Sequence, residues 1–201
     1  MFKMLTWLEP HASRFGVRCL DCRPFSQSML STTDDPKIVA RFSALRASDG
    51  HEHAGMSPSN AVFVETNLTY RYDGDSEDGP LFVAEVMEDK WDIYLYDGYL
   101  YFTRSWTGEL VFKARVEFGP GRASVSLVEI ADRAAEDEAF ALRQVDFLIK
   151  SHVMGREVPH PLPPDMPEEI ETIALYSFSS YGRKASFATF EDTTCLADGS
   201  H

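Results

Sequence analysis

Two aromatic runs, WDIYLY at 91–96 and YLYFTR at 99–104, flank Asp97-Gly98. Alternate positions in each run are apolar, which is the period of a strand. A two-residue type I′ turn needs positive φ at both central residues, and Asp-Gly supplies it. The pattern predicts a hairpin pairing 91–96 with 99–104. Other short runs extend it. LFVAEVM precedes it, ELVFKARVEF follows Thr107-Gly108, and ASVSLVEI follows Gly119-Pro120-Gly121. Residues 61–72 read as one more strand. Together they predict an antiparallel meander of about five to seven strands.

Helical spacing appears elsewhere. Asp34-Asp35-Pro36 reads as a helix start, with Ile38, Val39, Phe42 and Leu45 on one stripe and an end near Ser48–Gly50. Residues 134–154 read as a long amphipathic helix carrying Ala141, Val145, Leu148, Ile149 and His152 on one face. VPHPLPPDMP, at 158–167, reads as an extended surface connector, and Pro167 as the start of a last helix ending before Gly182. Within the hairpin, Trp91, Ile93 and Leu95 share one face and Asp92, Tyr94 and Tyr96 the other. The helices are expected to cover one face, leaving a tyrosine-rich face half exposed. The fold class is therefore α+β. The chain reads as a single domain, 1–201: a mixed segment 1–60, the sheet 61–131, helices over 132–190, and a flexible tail 191–201.

Composition narrows the function. The net charge of −13, from 32 acidic and 19 basic residues, argues against nucleic acid, whose phosphates need clustered Lys and Arg. It suits a basic protein partner instead. No apolar run approaches the ~20 residues that span a bilayer, and the N-terminus lacks a signal-peptide pattern. These readings give a cytoplasmic protein with no membrane role. The acidic loop from Asp73 to Gly79 lacks the bidentate Glu of a calcium loop, since Ala84 stands where it would fall.

Chemistry-bearing motifs are sparse. Cys19 and Cys22 form a CxxC pair. With His51 and His53 they make a conceivable zinc set, but the pair sits in an extended segment, without the turn such a site needs. A redox pair normally sits at a helix N-terminus, whereas extended chain is expected after Cys22. Structural thiols are the favoured reading, and no cofactor is called for. No HExxH, GxSxG, P-loop or GxGxxG occurs. The best candidate binding site joins Glu88, Asp89, Lys90 and Trp91 to Arg104, Ser105 and Trp106, because the hairpin brings these strand ends together. Trp and Arg are enriched at binding hot spots. The competing expectation is that Glu88 or Asp89 pairs with Arg104 and the tryptophans cap the core.

The string from Met87 to Gly108, MEDKWDIYLYDGYLYFTRSWTG, resembles a segment of uncharacterised bacterial proteins in which EDKW, an aromatic hairpin and RSWTG recur together. The resemblance implies that Lys90, Trp91, Arg104 and Trp106 are signature positions, in proteins found near ADP-ribose-processing domains. It assigns no catalytic residue. The expected function is a non-catalytic accessory or interaction protein, such as an acidic immunity-type inhibitor. The alternative is a binding protein or enzyme for a nucleotide-like small-molecule ligand, held at the Trp/Arg end.

Overall fold

The computed structural model describes residues 4–31, 33–74 and 77–195. Its elements run β1 (Thr6–Leu8), β2 (Cys19–Asp21), α1 (Arg23–Ser26), α2 (Pro36–Arg46), β3 (Val62–Arg71), β4 (Gly79–Phe82), β5 (Trp91–Tyr96), β6 (Tyr99–Arg104), β7 (Leu110–Gly119), β8 (Arg122–Ile130), α3 (Glu138–Leu148), β9 (His160–Pro161), α4 (Ile170–Tyr181) and β10 (Phe187–Thr189). The fold is α+β with a six-stranded antiparallel sheet. Among the described residues, no helix is long and apolar enough to cross a membrane. Contacts divide the chain into two compact units. One, the sheet unit, comprises 33–85 and 91–141. The other, the helical unit, comprises 4–31, 86–90 and 142–195.

The sheet unit has the strand order β3-β8-β7-β6-β5-β4. Its centre is the expected hairpin, with Trp91 opposite Arg104 and Tyr96 opposite Tyr99. Asp97 (φ 51°) and Gly98 (φ 74°) both occupy the left-handed region, as a type I′ turn demands. Gly119 pairs with Arg122 to close the next hairpin. One cross-strand row joins Ile93, Phe102, Phe112, Ile130 and Val62. A second row joins Tyr94, Tyr101, Lys113, Glu129 and Phe63 on the opposite face.

The tyrosine-rich face is not half exposed: all six residues of β5 are buried. The cover comes from residues 49–56, a polar stretch with no hydrophobic period. There, His51–His53 forms a 3₁₀ turn. His53 stacks on Tyr94 at 5.8 Å, and His51 meets Tyr96 edge-on at 5.2 Å. Tyr96 donates to the Asp49 carbonyl, and the Gly55 N–H donates to the Tyr101 hydroxyl, both at 2.9 Å. Gly50 is obligatory here, with φ 82° and a position where a Cβ would overlap the Tyr94 ring. Polarity in the sequence masked a cover held by hydrogen bonds and ring contacts. The cap of α2 is as expected, with the Asp35 carboxylate accepting from the Lys37 N–H. Its burial is not: Leu45 is buried, whereas Val39 is exposed.

The helical unit contains a second sheet that the sequence pattern did not announce. Its order is β1-β2-β10-β9, antiparallel except for the β10/β9 pair. Leu5, Leu20, Phe25, Leu162, Ile173 and Ala188 belong to its core. The connector 158–167 is not wholly a surface segment, because His160, Pro161 and Leu162 are buried and the first two form β9. The long helix expected over 134–154 is broken up: Asp132–Ala134 is a 3₁₀ turn, α3 begins at Glu138, and Ile149–Val153 is π-helical. The last helix begins at Ile170, not Pro167, and ends at Tyr181 before Gly182, whose Cβ would overlap the Glu88 carbonyl. Within the tail expected from 191, the buried Lys150 donates to the carbonyls of Thr193 and Thr194, which holds that stretch. Residues 196–201 lie outside the described residues.

Candidate functional site

The residues singled out at the strand ends are divided between the units. Glu88, Asp89 and Lys90 belong to the helical unit. The Glu88 carboxylate accepts from the Ser31 N–H at 2.7 Å. Lys90 Nζ donates to Ser31 Oγ at 2.7 Å and to the Met87 carbonyl at 2.8 Å, and lies 5.1 Å from the centre of the Phe178 ring. Both side chains are buried. Asp89 is half-buried in the same turn, its N–H donating to the Val86 carbonyl.

Trp91, Arg104, Ser105 and Trp106 belong to the sheet unit. Trp91 and Arg104 face each other across β5 and β6, with the guanidinium 4.8 Å from the centre of the indole. Trp91 also stacks on Phe112 at 5.8 Å and is 3% exposed, so no planar ligand can lie on it in this state. Ser105 is fully buried, and Trp106 is half-buried in the turn that follows β6. That turn closes through Gly108, whose N–H donates to the Arg104 carbonyl at 2.7 Å. Trp91 and Arg104 are thus brought together as part of the packing.

Ionic clusters that sequence reasoning missed lie deeper. Asp92 is fully buried beneath α2 and receives Arg46 bidentately, at 2.9 and 2.5 Å, plus the Ala84 N–H at 2.8 Å. Lys113 and Glu129 pair at 2.8 Å within the second cross-strand row, and the Lys113 ammonium lies 4.5 Å from the Tyr99 ring centre. Asp146 and Lys150 pair at 2.8 Å one helical turn apart. An Asp amid buried aromatics in β5 was the available signal for the first pair. Nothing local announced its Arg46 partner.

His160 Nε2 lies 2.8 Å from Ser177 Oγ, and its ring packs against Phe147 and Tyr181 at 5.7 and 4.9 Å. His152 Nδ1 lies 2.7 Å from Ser151 Oγ. Burial pulls both imidazoles down to about 3, because a charged ring there loses its hydration. Each is therefore neutral at physiological pH. A Ser–His contact of this kind resembles a nucleophile and base, but Ser177 and His160 are fully buried, beyond the reach of a substrate in this state.

Cys22 stands at the N-terminus of α1, with Pro24 in its first turn, where extended chain was expected. Its thiol is nevertheless pushed up to about 12 by burial, the opposite of an activated nucleophile. Cys19 is raised for the same reason. Neither cysteine forms a disulfide. The two belong to the helical unit, while His51 and His53 belong to the sheet unit and pack on tyrosines. Among the described residues, no group of three or more His, Cys, Asp or Glu could hold a metal ion, so the four do not make the zinc set.

A groove of about 400 Å³ opens on the helical unit. Trp7, Phe190, Met166 and Pro164 wall it, and Arg18, Glu168 and Glu191 edge it. Its residues come from four distant stretches of chain, so no motif marked it. No family model, curated protein or solved structure matches the chain.

Proposed function

We propose that this protein is an acidic, non-catalytic interaction protein whose partner is a basic protein, in the manner of an immunity-type inhibitor. The observation that carries this reading is where the charge lies. The buried carboxylates Glu88, Asp92, Glu129 and Asp146 are matched by the buried Lys90, Lys113 and Lys150 and the largely buried Arg46. Among the described residues the buried charges therefore cancel, and the formal −13 does not arise from them. A surface of that sign accelerates encounter with a basic partner and repels polyanions. The buried state of Ser177, His160 and Cys22 supports a non-catalytic role.

The rival reading, a nucleotide-like or ADP-ribose-related ligand at the Trp/Arg end, rests on the resemblance and on the Arg104–Trp91 stack. The burial of Trp91 disfavours it. The test is crosslinking in the native cell, followed by reconstitution with the purified captured protein, beside a thermal-shift screen with nucleotides and ADP-ribose. A basic partner bound with an affinity that falls as salt rises supports the proposal. A neutral or acidic partner, or a saturable shift with ADP-ribose, overturns it.

A further inference from the structure

We propose that the groove on the helical unit receives an arginine side chain of the basic partner. The partner's being a basic protein rests on the proposed function; the groove's preference for a guanidinium rests on its own geometry. Trp7 and Phe190 form the aromatic wall, their rings nearly parallel with centroids 6.3 Å apart. Both are half-buried and pack against the core of Leu5, Leu20 and Ala188, so the wall is fixed from behind. Met166 and Pro164 add a thioether and a ring that suit the aliphatic stem of a long side chain.

The groove already holds one guanidinium. Arg18 Cζ lies 4.0 Å from the centre of the Trp7 ring, within the range of a cation–π contact. Arg18 is itself surrounded by acid. Its Nη1 donates to Glu168 at 3.0 Å, its Nε lies 3.4 Å from Glu9, and its backbone N–H donates to Glu191 at 2.8 Å. The Thr189 hydroxyl, donating to the Arg18 carbonyl at 2.7 Å, anchors this strand end. Two carboxylates thus face the guanidinium while a third accepts from the Arg18 backbone, so carboxylates outnumber the one guanidinium they surround. A phosphate or carboxylate ligand would have to break the Arg18 pairs and approach the acids. A second guanidinium meets uncompensated carboxylate and an aromatic wall of the kind that Arg18 already uses. The volume of about 400 Å³ falls within the ~300–1,000 Å³ of small-ligand sites.

The experiment follows the Trp7 indole N–H by ¹H–¹⁵N NMR, assigned with Trp7→Phe, during titration with Nα-acetyl-arginine amide and an oligo-arginine peptide. The isosteric neutral citrulline amide and AMP are the controls. The expected result is a saturable shift with both arginine probes and with neither control. The double variant E168Q/E191Q should bind roughly fivefold or more weakly, with its unfolding midpoint and sheet resonances unchanged. An equal response to citrulline, a response to AMP, or no response to oligo-arginine overturns the proposal. If the reconstituted basic partner binds E168Q/E191Q as tightly as wild type, the groove assignment fails and the proposed function stands. If the arginine probes bind the groove while no basic partner is found, the function fails and the groove stands.

Discussion

Along β5, β6, β7 and β8 each strand pairs with the next, joined by a short turn, whereas β10 lies between β2 and β9 and ties residues 19–21 to 187–189. The two sheets therefore close by different means. In the meander each pairing follows a local turn, so loop-closure entropy is small at every step. In the helical unit, chain ends meet across most of the sequence, and the fold must be fixed by what is buried together. The buried groups there include His152, His160, Lys150 and Asp146. The comparison teaches that the sheet unit rests on local turns, cross-strand rows and matched buried ion pairs, and the helical unit on long-range closure around groups that include two histidines kept neutral by burial.

The largest effect expected is in the sheet unit. Asp92→Ala leaves the largely buried Arg46 without its carboxylate, keeping only its Ala84 carbonyl contact, and strands the Ala84 N–H; it should cost about 3–5 kcal/mol in urea unfolding. A loss below 1 kcal/mol would mean that water reaches Arg46 easily.

Acid should act first on the helical unit. His152 and His160 are held near 3 when folded, against about 6.5 when unfolded. Their neutral forms stabilise the fold fully above the unfolded value. That contribution falls as pH drops from about 6.5 toward 3, by about 1.4 kcal/mol per pH unit for each ring. At pH 5 the total loss should be about 4 kcal/mol, and hydrogen exchange at 160–162 and 187–189 should quicken before that at 91–130. Faster exchange in the meander would break the comparison.

Turn chemistry gives a smaller effect. Gly98→Val forces a β-branched residue to φ 74° and should destabilise by about 1 kcal/mol or more. Smaller still is the thiol readout. Exposed Cys195 should react rapidly in the native protein, while buried Cys19 and Cys22 wait for unfolding. Fast reaction at all three would show the helical unit opening readily.

This contrast also explains what could be read from sequence. Asp97-Gly98, Asp35-Pro36 and the alternation in 91–104 act locally, so the meander and the cap of α2 were legible. The cover over Tyr94 and Tyr96 was not, because His51 and His53 look polar until their rings meet tyrosines. The β9/β10 pairing hid in a proline-rich run, since two residues of strand carry no period. The candidate site was half legible. Register brings Trp91 to Arg104, but the chain passes into the other unit at Lys90, and no periodicity marks that change. The groove of Trp7, Arg18 and Phe190 exists only once distant segments meet.

On the proposed function, the residues of the Trp/Arg end support the fold, and the surface charge meets the partner. Arg104→Ala tests it most directly, by thermal unfolding with and without ADP-ribose. The account predicts a loss of about 1 kcal/mol, the worth of a partly desolvated cation–π contact, and no ADP-ribose shift in either protein. Unchanged stability in the variant, with an ADP-ribose shift present in wild type and abolished by the substitution, would contradict it.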